Sequence, residues 1–176
     1  MHIRHAIPAD SSALASIQIT SYRTAYANIL PDPYLAQFSH EEETQDWRNL
    51  LAHPANNLVY VAEQDSGLVV GYALGRAGPV AGYPYMSELV ALHVLPTFQR
   101  RGIGRRLFAA VASDLRRHGA TSLLLWTLAA NPIRHWYERL EGQYVTEKSR
   151  TFDRASVTSV AYEWPDIDQL YTALTR

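Results

Sequence analysis

The stretch Val94-Leu95-Pro96-Thr97-Phe98-Gln99-Arg100-Arg101-Gly102-Ile103-Gly104-Arg105-Arg106-Leu107 constrains this chain more than any other. An apolar, strand-like run stops at a proline, which cannot donate to a strand ladder. A short basic turn with two glycines follows, and a helical pattern begins directly after it. Glycine lets a backbone come close to a ligand, and the first amides of a helix are unpaired donors. The helix dipole adds partial positive charge at the same place. Arg100, Arg101, Arg105 and Arg106 set full charges beside it. These are the parts of a cradle for a diphosphate.

Other phosphate motifs do not fit. The chain has no Gly-x-x-x-x-Gly-Lys-Ser/Thr string. A dinucleotide fingerprint needs a third glycine where Leu107 stands. On spacing alone, a basic helix start whose glycines merely serve a turn remains an alternative.

Charge and composition narrow the classes. Sixteen basic residues against seventeen acidic ones give a formal net charge of −1. A nucleic-acid binder would carry a broad basic excess, so no nucleic-acid partner is expected. There is no cysteine, which removes disulfides, thiolate metal sites and a cysteinyl acyl-enzyme. The histidines His2, His5, His40, His53, His118 and His135 have no metal-ligand spacing, and no metal is expected. No Gly-x-Ser-x-Gly elbow occurs. Pro8 and Asp10 interrupt the N-terminus, and the apolar run near 123–130 is too short for a bilayer. A cytoplasmic protein without a membrane partner is the expectation.

Patterning predicts a short strand over 1–6 and a helix over 11–27. Helical segments follow over 33–38 and 40–52. Strands are predicted over 58–63 and 68–76, joined at Asp65-Ser66-Gly67, then a loop over 77–86 and a strand over 87–95. Next come an amphipathic helix over 102–118 closed by Gly119, a buried strand over 121–127, and a helix opened by Asn131 or Pro132. Strands over 144–147 and 157–164 pair antiparallel, and Asp166 caps a last helix. The apolar face of that helix suits the core or a second subunit. The fold class is mixed α/β (α+β), a mostly antiparallel central sheet flanked by helices.

Gln-x-x-Gly-x-Gly after a strand ending Val-Leu-Pro resembles the acetyl-CoA signature of the GCN5-related N-acetyltransferases. Downstream, Asn131-Pro132-Ile133-Arg134-His135-Trp136-Tyr137-Glu138-Arg139-Leu140-Glu141-Gly142 is similar to the family's Asn, aromatic-Tyr, Leu-x-Gly block. Two motifs in this order are far more specific than one. The resemblance implies a single N-acetyltransferase domain over 1–176 with the acyl-CoA N-acyltransferase fold. It implies acetyl-CoA as acyl donor and an amine-bearing acceptor from a small molecule or peptide; with no cysteine and no serine elbow, direct transfer in a ternary complex is favoured over a covalent intermediate. A homodimer is the assembly common among such enzymes. The alternatives are a non-catalytic acyl-CoA-binding module and an enzyme acting on a protein or aminoacyl-tRNA.

The resemblance also suggests roles. Gln99, Arg100, Arg101, Gly102, Ile103, Gly104 and Arg105 would bind the diphosphate. The backbone of Leu92, His93 and Val94 would pair with the pantetheine arm, with the amide near Val94 as oxyanion donor. Asn131 would bind that arm or cap its helix. Tyr137 carries a proton at neutral pH and is the candidate general acid, although a buried tyrosine is often only core. Glu88 is the candidate base, with pairing to an arginine as its competitor. His93 is an alternative base, and strict strand alternation puts it on the face opposite Glu88. Tyr22, Tyr26 and Tyr85, with Trp47 and Tyr83, would wall the acceptor pocket.

Overall fold

The computed structural model describes residues 1–176. One seven-stranded sheet organises the chain. Strand β1 (His2–His5) is followed by a one-turn 3-10 helix at Pro8–Asp10, then by α1 (Ser11–Ala25), α2 (Asp32–Ala36) and α3 (His40–Ala52). The hairpin β2 (Asn57–Glu63) and β3 (Val69–Ala77) leads to β4 (Ser87–Val94) and α4 (Ile103–Arg117). Then come β5 (Leu123–Leu128), α5 (Arg134–Arg139), β6 (Gln143–Phe152), β7 (Ala155–Trp164) and α6 (Ile167–Thr175). The sheet order is β1-β2-β3-β4-β5-β7-β6. Only β4 and β5 are parallel, joined by the crossover helix α4.

The helices cover both faces. Ile103, Leu107, Phe108, Val111 and Leu115 recur at helical spacing, and all are buried in the main core with Leu123, Leu125 and Tyr162. Gly75 makes close approach of α4 possible, since a Cβ there would lie 2.4 Å from Val111 Cγ1. On the other face, Leu14, Ile17 and Trp47 pack on Val59, Val61 and Tyr72. Trp47 therefore belongs to this second core. Its Nε1 donates to Gln18 Oε1 at 2.8 Å.

Two expectations are corrected and one open alternative is decided. The β6–β7 hairpin is far longer than 144–147 and 157–164. Its tight turn uses Asp153 and Arg154 at φ 41° and 69°, so no glycine marks it. The apolar face of α6 is not free for a second subunit: Ile167, Leu170 and Leu174 are buried in the main core. Finally, the register of β4 against β3 shifts at Leu74/Gly75, leaving Val90 as an extra residue. Val90 and Ala91 consequently both pack toward the α1–α3 side. The phase of alternation flips there, so Glu88 and His93 share a face. The helices include none long and apolar enough to cross a membrane.

Candidate active site

The turn between β4 and α4 has the backbone geometry of an anion nest. Arg100 and Gly102 both hold positive φ, 58° and 75°. Six successive main-chain N–H groups, from Arg100 to Arg105, have no acceptor in the protein; the first satisfied one is Arg106 N, bonded to Gly102 O at 3.0 Å. Arg100, Gly102, Ile103, Gly104 and Arg105 line one end of a cavity of about 1000 Å³. The Ile103 side chain is buried in the core, so only its amide faces the nest.

The arginines divide. Arg100 has neither a hydrogen bond nor an ion pair and is exposed. Arg101 folds onto the turn itself, donating to Thr97 O at 2.9 Å and lying over Phe98. Arg105 was expected to set its charge at the phosphate, and here the structure differs. Its guanidinium donates to Leu174 O at 2.9 Å and to Ala173 O, capping the C-terminal end of α6. Arg106 reaches Met1 O at 3.2 Å. Helix-end carbonyls need donors, and the Arg105 side chain meets that need instead.

The cavity exists because β4 and β5 part. They pair only at Glu88↔Leu124 and Leu89↔Leu125. Leu95 N donates to Val70 O at 2.9 Å. Antiparallel alternation then turns the peptide groups of Leu92 and Val94 away from β3, into the gap, while those of His93 belong to the β3 ladder opposite Tyr72. His93 is thus corrected as a main-chain partner of a ligand. Gln99 Nε2 takes up Val94 O at 2.9 Å, so Val94 offers its N–H. Ser87 Oγ donates to Ser122 O at 2.7 Å and holds the two strands together at their closed end.

Tyr137 and Asn131 line the same cavity. Tyr137 is 7 % exposed and its ring packs against Trp136, Tyr162 and Trp164. Burial pushes its hydroxyl pKa well above the ordinary phenol range, so it keeps its proton. Asn131 Oδ1 accepts from Ile133 N at 3.1 Å, opening the α5 segment. Its side-chain NH₂ makes no protein hydrogen bond.

No carboxylate lines the cavity. Glu88 lies beside it, held by Arg76 at 3.2 Å. His93 does line it, with its ring between Tyr22 and Tyr72. Burial pushes the His93 pKa down to about 4, so the imidazole is neutral at pH 7. Tyr22 and Tyr26 form the wall on the α1 side, edge to face at 5.2 Å. Tyr85 stands one layer out: it stacks on Tyr83, which meets the cavity residue Trp126 edge-on. Ser21 Oγ is buried, lines the cavity and has no partner. Sequence reasoning misses it, because a serine on an amphipathic helix has no spacing signature. No group of three or more His, Asp or Glu residues is placed to hold a metal ion.

Comparison with known proteins gives a consistent result. Residues 67–151 match the family model described as FR47-like protein. The chain is 31 % identical over 176 residues to an uncharacterized N-acetyltransferase, YuaI, of Bacillus subtilis, covering 99 % of this chain and 98 % of that one. Among solved structures, a ribosomal-protein-alanine N-acetyltransferase from Brucella melitensis superposes with a TM-score of 0.73. It is 23 % identical, with 93 % of this chain and 99 % of that chain covered. A phosphinothricin acetyltransferase from Sinorhizobium meliloti, in complex with acetyl-CoA, superposes with a TM-score of 0.72. It is 19 % identical, with 94 % of this chain and 88 % of that one covered.

Proposed function

The chain belongs to the GCN5-related N-acetyltransferases and is an acetyl-CoA-dependent N-acetyltransferase, and we propose that it acetylates an amine of a small molecule or peptide by direct attack, with donor and acceptor bound together. The observation that carries this reading is the run of six unpaired amides, five of them on residues that line one end of the cavity, with the parted strands leading away from it. Such a nest fits a diphosphate, and Arg100 adds a full charge. The open main-chain edge at Leu92 and Val94 fits an arm rich in amides. The Val94 N–H, aimed into the gap, would polarise a thioester carbonyl.

Tyr137 would stabilise the departing thiolate, its O–H donating a hydrogen bond as the C–S bond breaks. Burial makes the phenol a weaker acid than a thiol, so this hydrogen bond, rather than complete proton transfer, is its main contribution. Glu88 would receive the proton of the incoming ammonium through a water, since its carboxylate stands outside the cavity wall. Without cysteine, no cysteinyl intermediate can form. Tyr22 and Tyr26 would flank the acceptor, offering ring faces to a cation.

The test has two readouts. Acetyl-CoA at a large excess should raise the melting temperature by linkage. A panel of amines and peptides should then release free CoA thiol in the presence of the enzyme. A folded protein whose melting is indifferent to acetyl-CoA would refute the cofactor site. A thermal shift with no thiol release from any amine would refute the catalytic reading.

A further inference from the structure

One cluster in the molecule remains outside the reaction scheme. Trp126 on β5 lines the cavity. Two cations of the edge strand β6 lie over its ring. Lys148 Nζ is 3.7 Å from the ring centroid and the Arg150 guanidinium carbon is 5.8 Å away. Residues 148, 150 and 152 share one face of β6. Phe152 on that face meets Tyr34 of α2, which places the face on the α1–α3 side, with Tyr22 and Tyr26.

Neither cation forms an ion pair. The nearby Glu88 is engaged by Arg76 at 3.2 Å, and Glu147 alternates to the opposite face of β6. Burial against the ring and the neighbouring Arg150 both lower the Lys148 pKa, with Glu88 opposing them only in part. Two like charges held side by side repel each other, and a bound anion relieves that repulsion. The indole face attracts both groups and so presents them as a pair at a fixed place.

We infer that the acceptor is an anionic amine: its carboxylate or phosphate docks on Lys148 and Arg150 over Trp126, and its nitrogen points into the cavity. This rests on the acetyltransferase reading above and adds the substrate class. An amine carrying an anionic group reaches both subsites at once. A simple alkylamine leaves the two cations unpaired.

The test uses matched acceptors: α-amino acids, their decarboxylated amines, and amines carrying a phosphate monoester. Thiol release gives kcat/KM for each, and calorimetry on the enzyme saturated with CoA gives acceptor affinity. Acetyl-CoA affinity is measured first, so that loss of the donor site is recognised separately. The carboxylate or the phosphate arm should exceed its uncharged counterpart by roughly tenfold or more, as charge-assisted bonds imply. Which arm leads identifies the anion. Lys148→Gln with Arg150→Gln should lower that preference ratio by about the same factor, and Arg150→Glu should reverse it. Equal or better use of uncharged amines, no binding of any anionic amine, or a ratio insensitive to these exposed substitutions would each overturn the inference.

Discussion

Gln99 Nε2 donates to Val94 O at 2.9 Å, so the side chain that opens the anion nest also closes the strand that leads to it. The bond ties the turn with the unpaired amides to the main-chain edge at Leu92 and Val94. It also removes Val94 O from competition for a ligand. Replacing Gln99 with Leu should weaken acetyl-CoA binding by about fivefold, the worth of one ordinary hydrogen bond near 1 kcal/mol. Calorimetric titration checks this. An unchanged dissociation constant would show that the turn holds its shape without the bond.

Gly102 separates conformational cost from ligand approach. It sits at φ 75°, and a Cβ there would meet no protein atom within 4 Å. Gly102→Ala should therefore lower the stability of the free protein by only about 1 kcal/mol, from the left-handed backbone. Its effect on acetyl-CoA binding should be larger, because in the proposed binding mode the added methyl group would stand where the diphosphate approaches. Urea melts with and without CoA measure both. Equal losses in the two states would mean that the ligand does not come close to this residue.

Tyr137→Phe should reduce kcat about a hundredfold while acetyl-CoA affinity changes little, as for loss of a general acid. The ring packing against Trp136 and Trp164 does not need the hydroxyl. Because burial raises the Tyr137 pKa, the phenol stays protonated through neutral and mildly alkaline pH. The wild-type rate should then show no loss traceable to this residue between about pH 7 and 9. Presteady-state thiol release across that range provides the measurement. A kcat within twofold of wild type for the Phe variant would remove Tyr137 from the chemistry.

His93 should make folding acid-sensitive. Its folded pKa, about 4, lies below the unfolded value of about 6.5. Between those values the unfolded chain binds the extra proton and the folded one does not. Stability is therefore fully present above about pH 6.5 and falls as pH drops toward 4. His93→Asn should flatten the melting temperature between pH 7 and 4.5 relative to wild type. Parallel curves for the two proteins would show that the imidazole is hydrated in the fold.

Much of the fold is legible along the chain because its signals are local. The period of α4, the cap at Asp166 and the glycine at 119 are each set by neighbours a few residues away. The long β6–β7 hairpin is not legible, since Asp153 and Arg154 adopt left-handed φ without a glycine to announce it. Strand alternation misplaces His93 relative to Glu88 for a related reason. The bulge at Val90 appears only when β4 is laid against β3.

The chain by itself determined the anion nest, because a proline, a turn and a helix start within a dozen residues dictate where unpaired amides must stand. It also determined the chemical kind of the polar groups, Tyr137 and Asn131 among them, through their spacing on one short segment. Only the tertiary structure decided which charges stand near the cavity and which are engaged elsewhere. Arg105 lies in the motif, yet the C-terminal end of α6 claims its guanidinium. Lys148 and Arg150 lie far from any motif, yet the sheet carries them over Trp126 at the cavity. A side chain's role follows from the partners that reach it. For long, flexible cations those partners come from strands and helices distant in sequence, which no local pattern can specify.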